Sequence, residues 1–414
     1  MIAQGRRRAI SYALSLKDSS LSVAINGDHI VVCDRAGRLY SVYCAGHHQR
    51  RSLNGSILQK WTTDERQRRW LDRTEADRLL DDTAEQFREL HAALREPDWE
   101  WVTAPDRSSA LDDMLHVIDR AARFDSAAAR SDAARFAEVY SPIGILPPDQ
   151  YLALVLQATV GCSFNTCTFC NLYHQPFRIK TPDEFRRHIR AVRDYLGESL
   201  LLRRRSIFLG AANALAIPMP RLLPLLDVIA EECAPSLEHR GRIGDAARLL
   251  QPAVGAFLDA FTGARKSIED YRALAARGLK RVYIGLESGH DPLLEFVRKP
   301  GHARDAIETV QAIKAAGINV GIIVLIGLGG ERFAVGHVAD TVNVLNQMQL
   351  AAGDLLYFSD LVEEPKTPYP VLAGQHGIRA LTRSERAAQR QALRSSLSPS
   401  DAKISNYDVR EFVY

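Results

Sequence analysis

The sequence predicts an α/β protein whose core is an open or partial (β/α)6 barrel. Between residues 152 and 358, apolar runs of strand length alternate with capped amphipathic helices six times over. The strand runs are apolar almost throughout, the pattern of strands covered on both faces and therefore of a parallel sheet. Glycines and polar residues also follow each predicted strand, at the end where such a sheet gathers its ligand site.

In chain order, Asn26-Gly27, Ala36-Gly37 and Asn54-Gly55 separate short β-rich runs such as 29–33 and 38–43. Residues 1–60 therefore read as a small antiparallel meander. Residues 61–148 form a helical accessory region, with Leu80, Ala84, Phe87, Leu90 and Leu94 on one face of a helix over 74–94 and further helix over 109–139. Pro142, Pro147 and Pro148 punctuate the entry to the core, residues 149–360. Its first strand covers 152–160. Thr181-Pro182-Asp183-Glu184 then combines a capping box with proline at the first helical position, opening a helix to about Leu196. Strands at 206–210, 254–261, 281–286, 318–326 and 354–358 follow. Between them lie helices at 219–233, from the cap at Ser267 to near Gly278, at 303–316 and at 335–348. The short C-terminal extension, 361–414, carries a serine-rich run at 395–400 and is expected to close the substrate side or fray.

Composition sets bounds. With 46% apolar and 25% charged residues the chain reads as soluble and globular, and 53 basic against 50 acidic residues leave +3, no overall electrostatic case for nucleic acid. Arg6 to Arg8 precede an apolar stretch too short for an export signal, and the longest apolar run, 318–328, is a buried strand rather than a membrane span. Six irregularly spaced cysteines make no disulfide framework and fit a reducing, cytoplasmic setting.

Three of those cysteines carry the chemistry. Cys162, Cys167 and Cys170 fall within nine residues just after the first strand, where packing alone would favour residues that do not oxidise. Their spacing admits three readings: a [4Fe-4S] cluster on three thiolates with one open iron; a [2Fe-2S] centre completed by Cys233; or a closed Cys3His zinc site with His174. The strand-loop-helix context favours iron over a free-standing zinc module. The other strand ends bring Gly210-Ala211-Ala212-Asn213, Asp259 and Thr262, Glu287-Ser288-Gly289, Gly327 to Gly330, and Asp360 towards the same mouth. Asp259 is a candidate catalytic acid; its plainer role is a rim ion pair with Arg265 or Lys266.

From 152 to 358 these residues resemble the radical S-adenosylmethionine (SAM) enzymes, whose core is a TIM-like partial barrel. The cysteine triad with Phe169 before its last member is similar to that family's cluster loop, in a C-x4-C-x2-C variant one residue longer than the commonest spacing. Tyr283 to Gly289 is similar to the fourth-strand motif, in which Glu287 would meet the SAM ribose and Ser288 lie near its carboxylate. Gly210-Ala211-Ala212, followed by Asn213, stands where a Gly-Gly-Glu element is usual and lacks the acid, leaving backbone carbonyls for the SAM ammonium. Val324 to Gly330, with Gly327 and Leu328, resembles the fifth-strand element that packs on adenine. The resemblance implies a [4Fe-4S] cluster, SAM as ligand of the open iron, a 5′-deoxyadenosyl radical that takes hydrogen from a substrate, and an electron donor such as flavodoxin or ferredoxin. A small-molecule substrate is expected. Neither the extra cysteine clusters of methylthio-transferring relatives nor an Asp-x-His-x-x-Gly cobalamin motif occurs in the sequence.

Overall fold

The computed structural model describes residues 2–63, 66–173, 175–233 and 253–414, which leaves His174 outside the described residues. The chain forms two compact units, one of Met1–Tyr140, Ala191–Arg204 and Val413–Tyr414, the other of Ser141–Arg190 and Arg205–Phe412.

The first unit is built on a nine-stranded antiparallel sheet. Eight strands, Ile2–Arg7, Ile10–Leu16, Ser20–Ile25, His29–Asp34, Leu39–Cys44, His47–Arg51, Ile57–Thr62 and Arg66–Trp70, follow one another as a meander, and Trp99–Thr103 pairs with the first at the far edge. The meander therefore runs past residue 60. Its last strand, Arg-Gln-Arg-Arg-Trp, has no apolar alternation to reveal it, because a charged edge strand discourages pairing with other chains. The helices Arg73–Ala93, Ser108–Ala122 and Ser126–Val139 bury Leu80, Phe87, Leu90, Met114 and Ile118 in a common core with Leu14, Leu21, Val23 and Val31 of the sheet. The stretch expected to be helical over 109–139 is two helices, the second capped by Asp125 through the Ala128 amide. Buried Arg51 pairs with Asp132 at 2.6 Å beneath the sheet.

The second unit is a parallel sheet of seven strands in sequence order: Ala153–Gln157, Ser206–Gly210, Val254–Phe257, Leu279–Glu287, Asn319–Ile326, Leu355–Asp360 and Lys403–Tyr407. The first and seventh are its edges, so the barrel stays open. The strands are buried on both faces, as their apolar runs require. Along the chain, successive strands are separated by helices Pro182–Leu201, which breaks at Gly197 (φ +67°) and whose part from Ala191 on belongs to the first unit, Met219–Cys233, Ile268–Ala276, Ala303–Ala315, Gly330–Gln347 and Arg383–Ser395. The last helix and last strand come from the C-terminal extension, where serines and charges hide them from a hydrophobic pattern. The third strand is shorter than the expected 254–261: it ends at Phe257, and Asp259 caps a short helix, Ala260–Gly263. At the N-terminal end of the sheet Asp149 accepts hydrogen bonds from Tyr357 Oη at 2.8 Å, Arg281 Nη1 at 2.8 Å and Tyr283 Oη. These side chains fill that end of the sheet.

Candidate functional site

The cysteine loop leaves the first strand through a two-residue ladder, Thr159–Val160 with Arg178–Ile179. Gly161 opens it with φ +72°, and a Cβ there would collide with the Gln175 carbonyl, so only glycine fits. The loop is strapped down beyond the cysteines. Thr168 donates its amide (3.0 Å) and hydroxyl (3.3 Å) to the Val297 carbonyl, Thr166 Oγ1 donates to the Arg298 carbonyl at 3.3 Å, and the Tyr369 amide donates to the Thr168 carbonyl at 3.0 Å. A turn from the Cys170 amide to the Cys167 carbonyl, 3.3 Å, brings those two residues together.

Cys167, Cys170 and Lys299 sense the charges around them. Burial pushes the Cys167 thiol up to about 11; Lys299 opposes this, while Cys170, Glu287 and Cys162 add to it. Burial also raises Cys170, against the Leu172 amide, with Cys162 and Glu287 acting in the same direction as burial. Burial works against the charge on Lys299, but Glu287, Cys167 and Asp259 offset it and hold the ammonium above its ordinary value. Lys299 Nζ lies 3.5 Å from Glu287 Oε1, both side chains about 15% exposed (15% and 14%).

Glu287 owes its position to local backbone. It closes the fourth strand at φ +59°, in the left-handed region, after a register shift between Gly285 and Glu287. Its carboxylate folds over Gly285, where a Cβ would collide with Oε1 and stand 3.7 Å from Lys299 Nζ. Ser288 faces the other way. It is fully buried, 2.8 Å from His337 Nδ1, and accepts the His290 amide at 3.0 Å. Burial lowers His337 to about 4, with His290 adding to the shift, so the imidazole is neutral.

The second and third strand ends meet through Asn213. Its Nδ2 donates to Ser163 Oγ at 2.9 Å and to Asp259 Oδ2, and the Asp259 amide donates back to Asn213 Oδ1 at 3.2 Å. Asp259 also caps Thr262 at 2.7 Å. The rim ion pair weighed for it is not formed: Lys266 bonds the Ile217 carbonyl at 3.1 Å, and Arg265 lies over the Phe261 ring. The Gly210 carbonyl accepts the Ala158 amide at 2.8 Å, and the Ala211 amide donates to Thr159 Oγ1 at 3.0 Å. Phe169 and Leu328 enter one apolar cluster with Leu293, Val297, Leu325 and Tyr369, in which Leu328 is fully buried. Gly327, at φ +87°, donates its amide to Gln389 Oε1 at 2.8 Å. Cys233 closes the 15-residue helix Met219–Cys233.

Lys299, Ser163, His337 and Gln389 are absent from the sequence reading. Lys299 sits in an irregular turn before Pro300, with no spacing to tie it to Glu287. His337 shares a buried helix face with Thr341 and Val344, a period that reads as packing.

Residues 156–341 match the family model of the Radical SAM superfamily. These residues carry a radical SAM domain, of a class that uses a [4Fe-4S] cluster and SAM. No curated protein matches the chain. Among solved structures it is similar to coproporphyrinogen III oxidase from Escherichia coli (13% identity, 64% of this chain and 56% of that one, TM-score 0.40). It is also similar to a maturase of the [FeFe]-hydrogenase (15%, 78% and 62%, 0.39) and to a radical SAM methyltransferase from Kitasatospora setae solved with cobalamin and a [4Fe-4S] cluster (16%, 54% and 39%, 0.39). The chain spans less than two thirds of the length of each of these.

Proposed function

We propose that Cys162, Cys167 and Cys170 hold the [4Fe-4S] cluster and that Glu287 binds the SAM ribose beside it. The observation that supports this reading is the Lys299–Glu287 pair at the end of the fourth strand, with Lys299, Cys170, Glu287 and Cys162 all acting on the buried Cys167 thiol. Three sulfur donors on one strapped loop fit a cluster that leaves one iron for SAM. When bound, that group supplies a 5′-deoxyadenosyl radical by reductive cleavage of SAM. The chain's part is positioning. The straps from Thr166 and Thr168 hold the loop, Lys299 orients the Glu287 carboxylate, and the apolar cluster around Phe169 and Leu328 keeps water from one side. Asp259, joined through Asn213 to the cysteine loop at Ser163, is the acid best placed to act on substrate. A small-molecule substrate, a flavodoxin- or ferredoxin-like electron donor and a cytoplasmic setting complete the proposal; no helix among the described residues is long and apolar enough to cross a membrane.

The test is anaerobic reconstitution with iron and sulfide, dithionite reduction, addition of SAM, and quantification of 5′-deoxyadenosine and methionine. Product from the native chain and none from variants at the three cysteines is the expected result. Bound zinc with no product would overturn it.

A further inference from the structure

We infer that the helix Arg383–Ser395 builds an oxyanion subsite at the mouth of the sheet, in which Arg386, Gln389 and Arg390 take a carboxylate or phosphate group of the substrate. The inference rests on the proposed function, since it places the substrate at the strands' C-terminal ends.

Positions 386, 389 and 390 share one face of the helix, and three contacts fix that face to the ends of the fifth and sixth strands. Gln389 Oε1 accepts the Gly327 amide at 2.8 Å, Arg390 Nη2 bonds Asp360 Oδ1, and Arg386 Nε stands 3.6 Å from Asp360 Oδ2. Gly327 makes the approach possible, because even a Cβ there would stand 3.0 Å from Arg386 Cδ.

This face has more donors and more positive charge than its surroundings use. Gln389 is 5% exposed, and its Nε2 is buried with no hydrogen-bond partner among the described residues, as are Nε of Arg386 and Nε of Arg390. A buried amide donor left unmet is costly, so it marks a place where a partner belongs. Two guanidinium groups face the single carboxylate of Asp360. The nearby acids Glu331 and Glu385 are engaged by Arg379 at 2.8 and 2.9 Å. One positive charge therefore remains over a cluster with spare N–H donors, and planar guanidinium forks suit the paired oxygens of a carboxylate or phosphate.

The test titrates the full-length protein with inorganic phosphate and, separately, with malonate in a chloride background, read by calorimetry. Saturable binding of one probe is expected, and the probe that binds identifies phosphate or carboxylate. Arg386→Gln and Arg390→Gln should each weaken it about tenfold or more. Gln389→Glu keeps the acceptor for the Gly327 amide but removes the spare donor, and should abolish binding. Arg390→Lys, which keeps the charge but not the fork, should restore part of the affinity lost in Arg390→Gln. Arg394→Gln, one turn further on, where Arg394 bonds the Ile404 carbonyl at 3.3 Å, should leave binding unchanged. Thermal melts matching the native chain show that the variants fold. No saturable binding of either probe, equal loss from Arg394→Gln, or indifference to Arg386 and Arg390 would overturn the subsite. Failure of the radical reading shows separately, as absence of 5′-deoxyadenosine from the native chain whatever the anion result.

Discussion

Glu287 shows how much a single residue's placement depends on its neighbours. Its left-handed backbone, the missing side chain at Gly285 and the ammonium of Lys299 together fix one carboxylate at the end of the fourth strand. Glu287→Ala should weaken SAM binding about tenfold or more with iron content unchanged, as measured by equilibrium binding to the reconstituted protein. Unchanged affinity would remove Glu287 from the site. Cys167→Ser should abolish iron loading and SAM cleavage while the far-ultraviolet circular dichroism stays native; normal cleavage would refute the ligand assignment. His337 carries a pH prediction. Its folded value, about 4, lies below the ordinary 6.5, so between those values the unfolded chain binds the extra proton. Stability should therefore fall as pH drops from 6.5 towards 4, by at most about 3 kcal/mol, and His337→Gln should flatten that part of the profile in urea titrations.

At the scale of elements, the polar plug at the closed end of the sheet is the clearest case of tertiary cooperation. A short turn before the first strand supplies Asp149, and the fourth and sixth strands supply Arg281, Tyr283 and Tyr357. Asp149→Ala leaves two buried hydroxyls and a guanidinium without their acceptor, and should cost about 3 kcal/mol in denaturant unfolding. An effect below 0.5 kcal/mol would mean that water replaces the carboxylate. Six strands and their helices were legible in the sequence, because apolar runs and caps such as Thr181 with Glu184 and Ser267 with Asp270 act locally. The seventh strand, Lys-Ile-Ser-Asn-Tyr, was not. Only pairing with the sixth strand makes it β structure.

For the whole molecule, one unit takes in residues far apart in the chain. Ala191–Arg204 belongs with Met1–Tyr140, where Arg38 donates to the Tyr195 and Leu196 carbonyls at 2.9 and 2.6 Å and Phe136 meets the Tyr195 ring. Starting the chain at Ser141 would strip the partners of Tyr195 and leave apolar surface exposed. Such a truncation should lose most of its soluble yield, measured against the full chain by size-exclusion chromatography. Native-like solubility with retained iron loading would show that the second unit stands alone.

The sequence by itself determined the alternation of buried strands and capped helices, the order of the parallel core and the three-cysteine loop, because each is written in contiguous residues with their own periodicity or spacing. Tertiary structure decided what no window of sequence contains. It brought Lys299 to Glu287, turned Ser288 towards His337, joined Asn213 to Asp259, and set Arg386, Gln389 and Arg390 over the ends of the fifth and sixth strands. The physical reason is that an ion pair or buried hydrogen bond between distant residues is fixed by the packing that brings them together, and leaves no periodic trace in the chain.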